Sequence, residues 1–427
     1  FTGFMVKREM VCMYFSSDNY SRLLSNSSDY FRSKWQGAEP DIKHYRQADD
    51  SLQHPVFNRM VDRIIMNSCR WELYHYSLPL KQPLRMLGQT LKVRKGLILR
   101  LYDQAGNFGE GEISPLPLMH PESLSQAETQ LKKFLTKSFQ QNPDLFKTLP
   151  PSVRFGFEMA WRTLFKKFDA EEKIHYTAEV ILESERVDNH IAFKQIPVNA
   201  LATGSGDDLR HQCEQIKRDG FKAVKIKVGQ FKVREDLNRL ELAKNIFGNQ
   251  IALRVDANRG WEFKQATEFA LGIRDFNVEY CEEPLRNIKL LEKLYEQTGM
   301  QVALDETLWS NPDPIELPKS GISSLILKPG ILGGWGNTCF WINHAEKHKM
   351  QVVISSSMES GIGLNWIAFT DLSLLKKRTP AGLDSAKFFQ YDLADPPFSI
   401  SQGNYVFPNS WPVANKDYLK KISQGSW

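Results

Sequence analysis

Lysines and carboxylates recur in one phase through the second half of this chain. Lys225 and Lys227 alternate with Ile226 in KIKVG, Asp256 ends the apolar run of LRVDANR, and Glu282 and Glu283 follow Tyr280 and Cys281. Asp305 and Glu306 follow ALD's apolar residues, Lys328 follows LIL, and Ser355–Ser357 follow VVI. From Lys227 through Asp256, Glu282, Asp305 and Lys328 to Ser355, the steps are 29, 26, 23, 23 and 27 positions. Three carboxylates gathered on one rim would repel one another unless a cation joined them. Oxygen-only ligation suits a hard divalent ion, Mg²⁺ rather than Zn²⁺, with Mn²⁺ as a substitute. Asp256, Glu282 and Asp305 are the expected ligands. Glu283 and Glu306 read as their hydrogen-bonding neighbours, because successive strand residues point to opposite sides, although either could reach the ion. Beside a cation and a second ammonium, a lysine pKa should fall, which makes the neutral amine available as a base. Removing a proton next to a carboxylate leaves an enediolate whose charge a bound cation stabilises.

Elements of similar length must bring these residues to one rim. Short β-rich runs at 195–198, 223–228, 252–255, 278–281, 302–304, 325–327 and 352–354 alternate with amphipathic stretches at 208–218, 234–246, 263–276, 288–296 and 338–348. Such alternation implies parallel strands with crossover helices. Seven or eight units make a closed barrel, whose catalytic face is the C-terminal end of the strands. An open doubly wound sheet is the alternative, but the glycine-rich phosphate fingerprint is absent. A single Asp after a strand is as readily a helix cap; six polar residues in phase are not. Ahead of this region, Trp71–Leu78 and Gly96–Tyr102 read as strands, Gly106–Ile113 as their Gly-rich return, and 121–139 and 151–168 as helices. They make a small α+β unit.

The 427 residues are 41% hydrophobic, enough for a barrel-sized domain and a smaller one. A net charge of +5 drawn from 55 basic and 50 acidic residues, with no long block of one sign, gives no ground for nucleic-acid binding; a small anionic substrate fits. No apolar run reaches the roughly 18–20 residues of a membrane span, and the N-terminus lacks the features of a signal peptide. Cys12, Cys69, Cys213, Cys281 and Cys339 are scattered without a CxxC pair. They read as reduced thiols of a cytoplasmic protein, Cys281 as simple packing beside the carboxylates. Residues 1–65, rich in Ser, Asp, Asn, Arg and Tyr, read as a poorly ordered extension, and Met66 precedes the first folded unit. The sequence does not state an oligomeric order.

In their order, KIKVG, LRVDANR, EEP, ALDE, LILKPG and SSSMES resemble the enolase superfamily and, within it, the o-succinylbenzoate synthases of menaquinone biosynthesis. GEGEISPLP (Gly109–Pro117) is similar to that family's cap, and PAGLDS (Pro380–Ser385) to its late barrel. The resemblance implies an α/β fold: a modified TIM barrel, (β/α)7β, at 191–390, an α+β capping domain at 66–190, and a segment at 391–427 returning towards the cap. It also implies syn elimination of water from 2-succinyl-6-hydroxy-2,4-cyclohexadiene-1-carboxylate. Lys227 would be the base, Lys328 the electrostatic partner across the barrel, and Lys225 an auxiliary charge. Arg254 would support the ligands. Ser355, Ser356 and Gly382 would donate hydrogen bonds to the succinyl group, and Met86–Lys95 would be a mobile loop over the site. An N-acylamino acid racemase or dipeptide epimerase on the same scaffold is the alternative, since two facing lysines serve it as well. A catalytically silent barrel would lack one of Lys227, Asp256, Glu282, Asp305 and Lys328, and none is missing.

Overall fold

Alternating burial builds the first unit. In the computed structural model, which describes residues 70–86, 89–138, 146, 148–166, 195–310, 317–408 and 410–426, strand β1 (Arg70–Met86) buries Tyr76, Leu78 and Leu80 while Ser77 is exposed. The expected extension of residues 1–65, Met66, Cys12 and Cys69 lie outside the described residues. Strand β1 pairs antiparallel with β2 (Gln89–Tyr102), which pairs with β3 (Phe108–Ile113). Helices α1 (Leu124–Lys133) and α2 (Pro151–Lys166) follow. Ser123 and Gln126 close a reciprocal cap on α1, satisfying its first free amides. Leu73, Leu97, Leu99 and Ile113 share a core with Phe134 and Phe157, whose rings meet edge to face at 5.2 Å. The closest approach is between glycines. A Cβ on Gly111 of β3 would collide with the carbonyl of Gly156 in α2, so only hydrogen at that position lets sheet and helix meet.

The stretch Met86–Lys95, expected as a mobile loop, is instead almost all strand. Leu84 pairs with Leu91, Arg85 with Thr90 and Met86 with Gln89, leaving only 87 and 88 between the strands. Leu91 and Val93 alternate with Lys92 and Arg94, a period of two that belongs to a hairpin. Arg94 is buried, and donates from Nε to Met358 O at 2.9 Å and from Nη1 to Pro115 O at 2.9 Å.

The barrel strands are β5 (Asn199–Ala202), β6 (Ala223–Lys227), β7 (Ala252–Asp256), β8 (Val278–Glu282), β9 (Val302–Leu304), β10 (Ile322–Leu327) and β11 (Gln351–Ile354). They form one parallel sheet in chain order. Strand β4 (Gln195–Pro197) is not part of it, contrary to the reading of 195–198 as the first barrel strand: it pairs antiparallel with β12 (Asn404–Val406). The run passes between sheets over two residues: Val198 N donates to Gly403 O at 2.9 Å, while Pro197 O accepts from Ala381 N at 2.8 Å. Ala381 and Gly382 take the eighth place, Ala381 bridging Val198 and Gly382 bridging Ser355. The backbone bonds Asn199 N→Ala381 O and Gly382 N→Ile354 O, both 2.9 Å, join the two sheet edges and close the ring. Tyr280, Ala303, Ile326 and Val353 form a separate apolar cluster. The larger core packs Val224, Ile226, Val255, Leu304, Leu325 and Leu327 with the surrounding helices.

Those helices are α3 (Gly206–Arg218), α4 (Val233–Phe247), α5 (Phe263–Gly272), α6 (Leu291–Thr298), α7 (Glu306–Ser310), α8 (Pro329–Leu332), α9 (Trp335–Lys347) and α10 (Gly361–Leu374). The sequence reading missed α10 because its residues from Gly361 to Asp371 are buried without interruption, leaving no amphipathic period to detect. Its N-terminus is held by the cap: Glu112 accepts from Ser360 N at 3.0 Å, Ser360 Oγ at 2.6 Å and Gly363 N at 2.8 Å, as well as from Tyr76 OH at 2.5 Å. The last described strand, β13 (Lys420–Ser426), pairs antiparallel with β1.

Two outcomes are expected from this packing. Gly111→Ala should destabilise the fold by about 2–3 kcal/mol through overpacking against α2, read by chemical denaturation. Asp371 of α10 is buried, neither side-chain oxygen has a hydrogen-bond partner, and burial pushes its pKa up to about 7 against the opposing pull of Arg378. Its stabilising contribution is therefore complete below its ordinary value of 3.8 and is lost as pH rises towards 7. Asp371→Asn should match the wild type in acid and grow progressively more stable than it up to neutral pH. A pH-independent difference would refute this.

Candidate active site

Strands β6 to β10 each present a charged residue at the same rim. Lys227 pairs in register with Asp256, and Asp256 with Glu282; Asp305 and Lys328 directly follow β9 and β10. One layer below, Lys225 pairs with Arg254 and Arg254 with Tyr280. Asp256, Glu282 and Asp305 are at most 1% exposed. Lys227 Nζ contacts Asp256 Oδ2 at 2.5 Å and Asn258 Oδ1 at 2.7 Å. Lys225 Nζ lies 3.1 Å from both oxygens of Glu282 and 3.1 Å from Asp256 Oδ2. Lys328 pairs with Asp305 Oδ2. Strands β6 and β10 stand four places apart in the ring of eight, so Lys227 and Lys328 face each other across it.

Electrostatics follow from this crowding. Burial, then the charges of Asp256 and Asp305, push Glu282 well above the ordinary carboxylate range against the opposing pull of Lys225. Burial also pushes Asp256 up, but Lys227 and Lys225 outweigh it and hold its pKa below the ordinary range. For Lys225 and Lys328, burial favours the neutral amine, yet the facing carboxylates raise both pKa values. The depression expected from the sequence thus needs a cation's charge in addition; the carboxylates alone act the other way. Among the described residues, no three His, Cys, Asp or Glu groups converge as a metal shell; Lys225, Lys227 and Lys328 pair with the carboxylates. The donor set nonetheless suits a hard cation. Asp305 Oδ1 is buried with no hydrogen-bond partner, and all three groups offer only oxygen.

The neighbouring glutamates differ from each other. Glu283, at φ 43°, turns away from the rim and is fully used: Oε1 accepts from Asp305 N at 2.9 Å and Thr307 N at 2.7 Å, and Oε2 from Arg259 Nε at 2.9 Å and Thr307 Oγ1 at 3.0 Å. Glu306 Oε1 accepts from Asn258 Nδ2 at 3.0 Å, and burial with the charge of Asp305 pushes its pKa up to about 7. Arg254 does not touch the three carboxylates. It binds Glu279 at 2.6 Å, Asn199 at 3.0 Å and Pro380 O at 2.7 Å, linking β7, β8 and β5 to the segment that closes the ring. Ser355, Ser356 and Gly382 come together as the sequence reading grouped them, but they bond one another. Ser356 Oγ donates to Gly382 O at 3.0 Å, and Ser355 Oγ to the same oxygen at 3.4 Å. The sequence reading gave Asn258 no role. Its signal was an Asn in LRVDANR, the residue type that accepts the left-handed conformation it adopts at φ 43°.

Glu283→Gln keeps the shape but removes the charge that pairs with Arg259 and gathers two backbone amides. A loss of about 3–5 kcal/mol in urea unfolding is expected, as for other buried pairs broken on one side. Unchanged stability would show that this network is not what holds the turn after β8.

Comparison with known proteins agrees with this architecture. The family model "Enolase C-terminal domain-like" matches residues 208–411, and "MenC, N-terminal domain" matches 68–164. The o-succinylbenzoate synthase of Aliivibrio salmonicida is 31% identical over 335 residues, covering 76% of this chain and 93% of that protein. That of Haemophilus influenzae is 29% identical, covering 76% and 92%. The chain spans 17% of the length of the Arabidopsis thaliana protein PHYLLO, chloroplastic, to which it is 32% identical over 304 residues. Among solved structures, the dipeptide epimerase from Cytophaga hutchinsonii complexed with Mg and D-Ala-L-Val superposes with a TM-score of 0.70 at 22% identity, covering 84% of this chain and 99% of that one. The muconate lactonizing enzyme from Pseudomonas fluorescens gives 0.68 at 16%, covering 83% and 100%. These two show a shared fold. With both domain models in chain order and near full-length relatives at about 30% identity, this enzyme belongs to the o-succinylbenzoate synthase family of the enolase superfamily.

Proposed function

We propose that this chain is an o-succinylbenzoate synthase, dehydrating 2-succinyl-6-hydroxy-2,4-cyclohexadiene-1-carboxylate. The observation that carries the reading is the pair Lys227 and Lys328, facing each other over three buried carboxylates in a chain whose near full-length relatives bear that name. Asp256, Glu282 and Asp305 would hold Mg²⁺, which when bound would offset negative charge on the substrate carboxylate.

The amine of Lys227 takes the proton from the ring carbon bearing the carboxylate, and the electron pair of that C–H bond moves into the carboxylate as an enediolate. The Lys328 ammonium, on the opposite wall, stabilises that charge. Lys227 then returns its proton to the hydroxyl on the adjacent carbon. The C–O bond breaks on the same face, water leaves, and the electrons form the ring double bond that completes the aromatic product. Lys225 keeps Glu282 and Asp256 paired beneath the reaction. Asn258 orients the base through its contact with Lys227 Nζ.

The facing lysines also suit a racemase or epimerase, in which each would exchange a proton on its own face. A dipeptide substrate brings an ammonium group that a free carboxylate late in the barrel would receive. Asp384 already pairs with Lys387, which favours the dehydration.

Aromatisation on mixing with the cyclohexadiene carboxylate and Mg²⁺ should be visible in the ultraviolet and vanish with EDTA. Lys227→Ala and Lys328→Ala should each abolish it while leaving Mg²⁺ binding, followed by calorimetry, largely intact. Asp256→Ala should lose that binding. Well-folded protein that leaves this substrate unchanged but exchanges the α-proton of N-succinylamino acids in D₂O would establish the racemase reading instead.

A further inference from the structure

The ladder between β5 and β6 stops at Ala202 opposite Ile226, one residue short of Lys227. On the other flank it is Val228 N that donates to Asp256 O, at 2.9 Å. The Lys227 carbonyl thus has no neighbouring strand to supply a donor, in a chain where buried carbonyls need one. The donor comes from the helix after β6. Arg239 Nη1 reaches Lys227 O at 2.7 Å, and its Nε reaches Gly204 O, in the turn after β5, at 2.7 Å. Asp236, one turn earlier on α4, takes the same Nη1 at 2.8 Å and with its other oxygen accepts Gly229 N at 2.8 Å. Gly229 is at φ 79°, so the turn after Lys227 is fixed at both its carbonyl and its glycine. Arg239 and Asp236 are both buried, and the Phe231 ring lies over the guanidinium at 4.9 Å.

This arrangement has the form of a mount. A planar guanidinium meets several acceptors at once in a way an ammonium cannot. Lys227 carries its amine on a flexible stem, so the position of its backbone sets which points Nζ can reach. Displacing a reacting group by about 1 Å can cost about 10²-fold in rate. We infer that Arg239, oriented by Asp236, is a positioning residue that fixes the backbone of Lys227 relative to the strand-end carboxylates. The inference rests on Lys227 being the base, as proposed above.

The test compares kcat and KM of the wild type, Arg239→Ala, Arg239→Lys, Asp236→Asn and Lys227→Ala, each normalised to the folded fraction seen in near-ultraviolet circular dichroism. Arg239→Ala is expected to lower kcat per folded chain about 10²-fold, with KM changed by less than about threefold. Arg239→Lys should recover about tenfold, since its ammonium still reaches one of the two carbonyls. Asp236→Asn should show a smaller loss of the same kind, and it stands in for Arg239→Ala should that variant not fold. A purely structural role predicts fewer folded chains with normal kcat in each, and that result would overturn the inference. Full turnover by Lys227→Ala would overturn the base assignment and this inference with it. An inactive Lys227→Ala beside a fully active, folded Arg239→Ala would overturn this inference alone.

Discussion

Negative charge concentrated inside a dry barrel is the constraint on which the rest of this structure turns. Asp256, Glu282 and Asp305 are almost wholly removed from water, and a buried carboxylate without compensation costs several kcal/mol. Compensation is built from the same strands. Lys225 and Lys227 come from β6, Lys328 follows β10, and Arg259 answers Glu283. Three lysines therefore answer the carboxylates Asp256, Glu282 and Asp305, while Glu283 and Arg259 pair away from the rim. A divalent cation and an anionic substrate can join such a site together without leaving a large uncompensated charge, the physical ground on which the proposed dehydration stands.

Holding that site requires a closed ring, and the ring is closed economically. Two residues, Ala381 and Gly382, stand in for a whole eighth strand, and Gly382 has no room for a Cβ beside Ser355. Arg254 reinforces the joint from within, binding Pro380 O together with groups on two strands. Its position one layer below the metal-type carboxylates explains why a residue two places before Asp256 serves closure rather than the ligands: side chains two apart on a strand share a face but sit at different depths. The cap contributes from outside. Glu112 holds the first amides of α10, and Arg94 holds Met358 O, so the turn after β11 is set by residues about 250 positions away in sequence.

Much of this was legible before any coordinates. The phase of the charged residues marked one rim, and apolar runs of the right length marked the strands that build it. Failures had definite causes. Gln195–Val198 looks like one strand, but Gln195–Pro197 pairs with Asn404–Val406 while Val198 bridges Ala381. The resemblance places a loop at Met86–Lys95, although the alternation there is that of a strand. Helix α10 is buried on every side and so carries no amphipathic signature. Asn258, Arg239 and Glu112 are not legible as functional, because the contacts that give them a role are to a lysine amine, two backbone carbonyls and a helix terminus, none of which leaves a mark in residue spacing.

The sequence by itself determined the class of fold, the rim on which the charges gather and the family to which the motifs belong. It could do so because a strand–helix unit has a nearly fixed length, so residues that return to one rim recur at nearly fixed intervals. Tertiary structure alone decided which neighbour each charge answers, which residues close the ring, and that the serines after β11 bond the Gly382 carbonyl. Those choices depend on distances of about 3 Å between segments far apart in the chain, and hydrogen bonding and charge pairing fall away too steeply with distance and angle for spacing along a sequence to fix them.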